Sequence, residues 1–268
     1  MSVIQSDLLI LGSGVAGLTV AIKSARALPE KQILVVTKAD ESESNTKYDQ
    51  GGVAAVWAKL DSFKDHIDDT MVAGDFENDL DVVKMVVEDA PEAMEQLIRW
   101  GAEFDLNESG EIDLGKEGGH SANRILHHKD ITGFEIERTL LQQVESLPNI
   151  TLLPYHFAID LITEHHLKGK QKKISTCFGA YVLNQKTNQI DTFLSKYTIL
   201  TTGGIGQVYA ATTNPVIATG DGIAMAYRAK VVVDDMEFVQ FHPTALYQPG
   251  VSPAFLISEA VRGFGAYL

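Results

Sequence analysis

The glycine-rich segment close to the amino terminus constrains the fold more than any other part of the sequence. A mostly apolar run at 7–11 leads into Gly12-Ser13-Gly14-Val15-Ala16-Gly17, and residues 18–27 then have the Ala- and Leu-rich composition of a helix. A second run, rich in β-branched residues, occupies 32–37. Strand, turn, helix and strand within about 30 residues form a βαβ unit. The sequence therefore predicts an α/β fold with a Rossmann-like dinucleotide-binding domain.

The three glycines of this turn have separate functions in a dinucleotide-binding site. Gly12 permits the tight turn, Gly14 lets the backbone approach a pyrophosphate, and Gly17 lets the helix pack closely on the strand. The alternative is a glycine-rich turn that holds no ligand. The second strand ends in Thr37-Lys38, where a nicotinamide dinucleotide site usually has an acidic ribose ligand. A nicotinamide-dependent dehydrogenase is therefore disfavoured.

Composition and charge argue against several other classes of protein. With 45% apolar and 22% charged residues, the 268-residue chain has the composition of a globular protein. A net charge of -14 disfavours binding to nucleic acid or to an anionic membrane. The single cysteine, Cys177, excludes an internal disulfide and a cysteine-rich metal site. Because no basic segment precedes the first apolar run, we predict neither a signal peptide nor a membrane span, and a cytoplasmic location.

The rest of the chain predicts further helices and strands without a flexible linker between domains. Helical spacing covers 79–100, where Pro91 is expected to separate two helices, and another helix is expected at 136–146. Strands are predicted at 150–153, 178–183 and 197–201, and loops at 42–52, at the polar stretch 107–124 and at a basic hairpin loop, 165–173.

Several polar and glycine-containing segments, taken together, resemble one family of proteins. These segments are 44–52, 117–121, 130–133, 201–204, 212–215, 220–222, 237–244 and 258–263. Their order and spacing resemble the succinate dehydrogenase, fumarate reductase and L-aspartate oxidase flavoprotein family over nearly the whole chain. Within that family, Glu117-Gly118-Gly119-His120-Ser121 and its continuation at 124–127 resemble the aspartate oxidase branch, because the respiratory members have a different sequence there.

The resemblance implies that the chain binds FAD. In the family, the loop that ends at 50–52 wraps the flavin, and its glycines let main-chain N–H groups approach the ring. Respiratory members attach FAD through a histidine of this loop; Asn45 has the matching position and cannot form that bond, so we expect non-covalent FAD. Asp221 resembles a flavin-contacting aspartate, and the alternative is that it caps a helix at 222–229. The predicted cofactor-binding residues are Gly12, Ser13, Gly14, Val15, Ala16, Gly17, Lys38, Asn45, Thr46, Lys47, Tyr48, Asp49, Gln50, Gly51, Gly52, Thr202, Gly203, Gly204 and Asp221.

The resemblance also implies a site for L-aspartate or a related C4 dicarboxylate. His242 and Ser258 can donate hydrogen bonds to a carboxylate, and Glu117 can pair with the ammonium group of an amino acid. The alternatives are a core histidine at position 242 and a solvated loop carboxylate at position 117. Arg262 is expected either at the substrate or in a structural ion pair. The predicted catalytic residues are Glu117, His242, Ser258, Glu259 and Arg262.

The implied reaction is the oxidation of L-aspartate to iminoaspartate, with hydride transfer from the α-carbon to flavin N5 and reoxidation of the flavin by oxygen or fumarate. In the family, iminoaspartate passes to quinolinate synthase, which implies NAD biosynthesis. The alternatives are a soluble fumarate reductase or succinate dehydrogenase type of flavoprotein and an inactive flavin-binding remnant. No metal site is predicted, because the histidines at 120, 127 and 128 have no further ligands at a familiar spacing.

The resemblance divides the chain into an incomplete FAD-binding domain, 1–235, and the beginning of a capping domain, 236–268. In the family, an essential arginine and the last flavin contacts follow the position of Leu268, so the chain is expected to be a fragment that lacks part of the site. Three residues depart from the family pattern. Asp49 and Phe264 replace an alanine and a glutamate, and Lys230 replaces a glycine that follows a helix. A carboxylate at position 49 would disfavour an anionic reduced flavin.

Overall fold

The computed structural model describes residues 2–164, 176–242, 244–258 and 261, so the hairpin loop predicted at 165–173 lies outside the described residues. The chain divides into two compact units: Met1–Lys47 with Leu140–Phe255, and Tyr48–Thr139 with Leu256–Leu268. The domain boundary at 235/236 stays a prediction.

In chain order the elements are β1 (Val3–Leu11), α1 (Val15–Ala27), β2 (Ile33–Val36), a 3-10 helix (Thr46–Tyr48), β3 (Val53–Ala54), α2 (Phe63–Ala73), α3 (Leu80–Arg99), β4 (Leu114–Gly115), β5 (Ile125–Leu126), α4 (Thr132–Glu145), β6 (Ile150–Leu153), β7 (His156–Thr163), β8 (Cys177–Asn184), β9 (Gln189–Leu200), a 3-10 helix (Gly206–Val208), α5 (Asp221–Arg228), β10 (Ala245–Leu246) and β11 (Phe255–Leu256).

A six-stranded sheet in the order β6-β2-β1-β9-β8-β7 forms the centre of the first unit. β6, β2, β1 and β9 run parallel, with Leu8 of β1 opposite Ile33 of β2 and Tyr197 of β9. β9, β8 and β7 are antiparallel neighbours. Parallel strands require a crossover connection, which α1 provides between β1 and β2. The predicted α/β class is confirmed.

Apolar side chains are buried on both faces of this sheet and fix the position of α1. Leu9 belongs to a buried cluster with Phe193 and Met225, whereas the next residue of β1, Ile10, packs with Ala21 of α1. Successive residues of a strand face opposite sides of a sheet, so β1 contributes to both clusters. Burial of each large apolar side chain contributes about 1.5–3 kcal/mol. The packing holds the amino-terminal end of α1 at the carboxyl end of β1.

The second unit contains α2, α3 and a three-stranded antiparallel sheet in the order β3-β5-β4. One core cluster of this unit consists of Ala55, Met94, Ala102, Phe104 and Leu126. The helix break predicted at Pro91 is wrong, because α3 is one helix of 20 residues with Pro91 inside it. A proline in a helix interior costs about 3 kcal/mol. Val83 and Val87 on one side of the proline and Met94 on the other are buried, and their packing outweighs that cost.

The polar stretch predicted as a loop at 107–124 is more ordered than its composition indicates. It contains β4 and ends at Arg124, which is completely buried. The sequence shows the charge of Arg124 but not its partners, Asp61 and Asp69, which lie more than 50 positions earlier. Neither α2 nor β7 was predicted, and the short strands β3, β4, β5, β10 and β11 and the two described 3-10 helices were not predicted either. No helix in the described ranges is long and apolar enough to span a bilayer.

Candidate functional site

A cleft with a volume of about 320 Å³ lies in the first unit where β1, β2 and β9 end. The carboxyl ends of neighbouring parallel strands meet at one edge of a sheet, the usual place for a ligand in an α/β fold. The turn after β1, the segment after β2 and the turn after β9 all line this cleft. The predicted cofactor-binding residues that line it are Gly12, Ser13, Gly14, Val15, Ala16, Lys38, Asn45, Thr46, Thr202, Gly203 and Asp221.

The glycines of the first turn differ in what surrounds them. Gly12 has a φ of +119°, and a Cβ there would lie 2.2 Å from the carbonyl oxygen of Thr201. A Cβ at Gly17 would lie 2.0 Å from the carbonyl oxygen of Gly12. These contacts agree with the turn and packing functions predicted for the first and third glycines. A Cβ at Gly14 would meet only Thr46 Oγ1 at 3.5 Å and Ser44 Cβ at 3.7 Å, so the protein itself does not require this glycine.

The amino-terminal end of α1 lies at this cleft. Val15 and Ala16 are exposed at the cleft, and the first turn of α1 contains no acidic residue. The N–H group of Val15 donates a hydrogen bond to Thr46 Oγ1 at 3.1 Å. A helix amino terminus carries roughly half a positive elementary charge. The uncrowded Gly14 and this helix end therefore fit the pyrophosphate of a dinucleotide.

Lys38 and Asp221 connect the segment after β2 to the start of α5 beside the cleft. Their side chains form an ion pair and are 23% and 24% exposed. Thr219 Oγ1 accepts a hydrogen bond from Lys38 Nζ at 2.6 Å and donates one to Asp221 Oδ1 at 2.9 Å. The capping alternative for Asp221 is wrong, because the N-cap of α5 is Gly220 and no side chain caps that helix. The pair presents opposite charges together, so it contributes a polar surface and little net charge to the cleft.

In the second unit, the segment at 49–52 lies beside the carboxylate of Glu117. A Cβ at Gly51 would be 3.0 Å from Glu117 Oε1, and a Cβ at Gly52 would be 2.5 Å from the carbonyl oxygen of Leu126. Among the described residues, the buried Oε1 atom of Gln50 has no hydrogen-bond partner, as expected of a group that a cofactor would satisfy. Desolvation raises the pKa of the Asp49 carboxyl, although the residue is exposed and water limits this shift.

A buried ion-pair network anchors the segment that carries Glu117. Arg124 Nε and Nη2 donate to the two carboxylate oxygens of Asp61 at 3.0 and 2.8 Å, and its Nη1 donates to Asp69 Oδ2 at 2.6 Å. The N–H and hydroxyl groups of Ser121 also donate to Asp69 Oδ2, both at 2.7 Å. Burial opposes ionisation of Asp69, but the hydrogen bonds from Ser121 and Arg124 outweigh it and lower the pKa of its carboxyl.

Two histidines lie close to this network. The rings of His66 and His120 are 6.2 Å apart in an edge-to-face arrangement. Burial lowers the pKa of both imidazoles, and the positive charge of Arg124 lowers it further. Both shifts favour the neutral form of the rings. Within the part of the chain that the structure describes, no group of three or more His, Cys, Asp or Glu side chains could hold a metal ion.

The predicted substrate-side residues are described only in part. His242 belongs to the first unit and lines a second cleft of about 560 Å³, where its Nδ1 can donate a hydrogen bond to the Thr244 carbonyl oxygen at 2.9 Å. It is not a core histidine, because it is partly exposed and the neighbouring Phe241 is 69% exposed. Ser258 belongs to the second unit. Glu259 and Arg262 lie outside the described residues, as does Phe264.

Several residues of the first cleft were not predicted. His156, Phe157 and Ala158 line it from β7, and Ile217, Ala218 and Met225 line it from α5 and the segment before that helix. The alternating apolar pattern of 156–163 was a usable signal for β7. Its place at the edge of the sheet depends on long-range pairing with β8, which a single sequence does not show.

Comparison with known proteins agrees with this arrangement. The model of the FAD binding domain family matches residues 7–268. A chloroplastic L-aspartate oxidase of Arabidopsis thaliana is 49% identical over 98% of this chain and 40% of its own length, and an L-aspartate oxidase of Acinetobacter baylyi is 46% identical over 98% and 47%. An E. coli quinol fumarate reductase chain superposes with a TM-score of 0.90 at 34% identity, covering 99% of this chain and 43% of its own.

The chain thus spans less than half the length of each of these proteins. The family match, the identities above 30% and the similar fold all cover nearly the whole of the chain. The chain therefore belongs to the FAD-binding flavoprotein family that includes L-aspartate oxidase and fumarate reductase.

Proposed function

We propose that the cleft at the ends of β1, β2 and β9 holds FAD without a covalent bond. The glycine turn at 12–17 and the amino-terminal end of α1 would bind the pyrophosphate, and Lys38 and Asp221 would provide polar contacts beside it. The segment at 45–52 and the turn at 202–204 would contact the rest of the cofactor. Asn45 supports the non-covalent mode, because a carboxamide does not act as a nucleophile and the histidine expected in respiratory members is absent at this position.

We further propose that the full-length protein oxidises L-aspartate to iminoaspartate. FAD, when bound, supplies the redox chemistry by accepting a hydride. The observation that carries this proposal is the position of the Glu117 carboxylate beside Gly51, since Gly51 belongs to the proposed flavin-binding segment. A carboxylate there can hold the ammonium group of an amino acid, which a simple dicarboxylate lacks. His242 and Ser258 would orient the carboxylate groups, with Glu259 and Arg262 as further candidates.

The biological setting follows from that reaction. Oxygen or fumarate would reoxidise the cofactor, quinolinate synthase would consume iminoaspartate, and the product pathway would be NAD biosynthesis. We also propose a cytoplasmic location, which the single cysteine of the chain favours, whereas the plant relative is named chloroplastic. A fumarate reductase type of flavoprotein is the second candidate, and the superposition on the E. coli quinol fumarate reductase chain supports it.

Anaerobic reduction of the flavin by L-aspartate and by succinate distinguishes these two functions in the full-length protein. We expect L-aspartate to bleach the visible flavin band faster. Glu117→Gln should slow reduction by L-aspartate about 10- to 100-fold, the equivalent of one lost charge-assisted hydrogen bond, and should leave reduction by succinate unchanged. Glu108→Gln, an exposed loop carboxylate in the same unit, is the control. Faster reduction by succinate would favour the second candidate instead.

The mode of attachment has a separate test. Acid precipitation of the flavin-loaded protein should release all of the flavin into the supernatant. Flavin that stays with the precipitated chain would contradict the non-covalent mode that Asn45 supports.

A further inference from the structure

The start of α4 holds the backbone of the segment at 49–52 through two hydrogen bonds. Thr132 Oγ1 donates to the carbonyl oxygen of Gly51 at 2.5 Å, and the N–H group of Gly133 donates to the carbonyl oxygen of Asp49 at 3.0 Å. Thr132 is completely buried, and its hydroxyl also accepts a hydrogen bond from the His128 N–H group at 3.0 Å. One hydroxyl therefore connects the start of α4, the turn before it and the segment at 49–52.

These two bonds fix the direction of two peptide groups. The peptide bonds of this segment are trans, because the single cis peptide among the described residues is Ser252-Pro253. In a trans peptide the C=O and N–H groups point in opposite directions. Since the carbonyl groups of Asp49 and Gly51 point to α4, the N–H groups of Gln50 and Gly52 point away from it.

The arrangement also provides a hydrogen-bond partner for a backbone N–H group at the start of α4. The first N–H groups of a helix have no partner within the helix, and the carbonyl oxygen of Asp49 provides one for Gly133. The positive end of the helix lies against two carbonyl dipoles, which is the favourable orientation. The hydrogen bonds therefore stabilise the loop and the helix together, so the loop geometry is set before any ligand binds.

We propose that Thr132 is a positioning residue for the cofactor, which aims the N–H groups of Gln50 and Gly52 at bound flavin by holding the Gly51 carbonyl. The inference rests on the proposed binding of FAD to this chain. Fixed N–H dipoles beside a cofactor stabilise negative charge on it without reorganisation. Thr132 thereby contributes to affinity for FAD and favours the reduced, more negative form.

Thr132→Val tests the proposal, because valine has nearly the same shape and lacks the hydroxyl. We expect the dissociation constant for FAD to rise about 5- to 100-fold, the equivalent of one buried group left without its hydrogen bond. The reduction potential of the bound flavin should become more negative. Thr132→Ser, which keeps the hydroxyl, should restore both properties to near the wild-type values.

Thr139→Val is the matched control, since Thr139 is another completely buried threonine of α4 whose hydroxyl contacts Glu135 instead of the loop. Equal FAD dissociation constants and reduction potentials for Thr132→Val and Thr139→Val would overturn the positioning role of Thr132 and leave the proposed binding of FAD unaffected. If the wild-type chain binds no FAD, the proposed function is wrong and the positioning role falls with it. Thermal unfolding of each variant without FAD shows whether that variant folds. If Thr132→Ser folds but does not restore the FAD dissociation constant and the reduction potential, the proposal is also contradicted.

Discussion

Arg124 and Asp61 form a two-point ion pair in which both side chains are completely shielded from solvent. Removing one partner of a buried pair leaves the other charge without compensation and typically costs about 3–5 kcal/mol. We therefore expect Arg124→Met to lower the free energy of unfolding by about that amount, as measured by urea denaturation of the chain without FAD.

The control for this prediction is an exposed ion pair of the same unit. Arg99 and Glu95 are 59% and 58% exposed, and exposed pairs contribute less than about 1 kcal/mol. Arg99→Met should therefore change the free energy of unfolding by only a few tenths of a kcal/mol. Similar losses for the two variants would show that the burial of Arg124 has no energetic consequence.

Stability should decrease as the pH falls below neutrality because of His66 and His120. Burial lowers the pKa of both imidazoles in the folded chain, whereas the unfolded value is about 6.5. Their contribution is present above pH 6.5 and is lost as the pH falls toward the folded pKa, because only the unfolded chain takes up protons in that window. The free energy of unfolding should fall from pH 7.5 to 5.5 by at most about 1.4 kcal/mol per pH unit for each histidine.

Urea denaturation at several pH values checks this dependence. The double variant His66→Gln, His120→Gln cannot titrate at these positions, so its free energy of unfolding should change less between pH 7.5 and 5.5. If the free energy of unfolding of the double variant changes with pH as much as that of the wild-type chain, other groups cause the acid sensitivity. A second decrease below about pH 4 is expected in both proteins, because the pKa of Asp69 is lowered in the folded chain and its stabilising charge is lost as the pH falls.

Lys230→Gly should stabilise the chain. Lys230 follows α5 with a φ of +63°, and the N–H groups of Lys230 and Val231 donate to the carbonyl oxygens of Tyr227 and Ala226. This is the helix-ending motif in which glycine is preferred, since a side chain strains the left-handed conformation by about 1 kcal/mol. Thermal denaturation should show that the free energy of unfolding rises by about that amount. Lys230→Ala keeps the strain and is the control; an equal gain for it would assign the effect to the lost charge.

The same residue shows how far the sequence could predict the structure. The resemblance to the family implies a glycine at position 230, and the backbone there has the left-handed conformation that glycine adopts most readily. The glycine turn at 12–17 could also be predicted from the sequence, because it follows an apolar run and precedes a helix at the spacing of a βαβ unit. Local patterns of this kind depend on neighbouring residues, which a single sequence contains.

The features that were missed depend on contacts between distant parts of the chain. Pro91 signals a break, but packing of Val83, Val87 and Met94 keeps α3 continuous. Arg124 lies in a polar stretch, and only the fold brings Asp61 and Asp69 to it. The sequence pattern allows Asp221 to cap a helix, but the N-cap of α5 is Gly220. The Asp221 side chain pairs instead with Lys38, 183 positions away in the sequence.

Binding of FAD to variants of the glycine turn tests the central claim most directly. Gly17→Ala should disrupt the fold, since its Cβ would lie 2.0 Å from a backbone oxygen, whereas Gly14→Ala creates only ordinary contacts within the protein. We expect Gly14→Ala to keep its free energy of unfolding within about 1 kcal/mol and to bind FAD at least about 10-fold more weakly, because the added methyl group blocks the pyrophosphate. Lys23→Ala, at an exposed position of α1, should bind FAD like the wild-type chain. Unchanged FAD affinity in a folded Gly14→Ala variant, or no FAD binding by the wild-type chain, would contradict the assignment of this cleft.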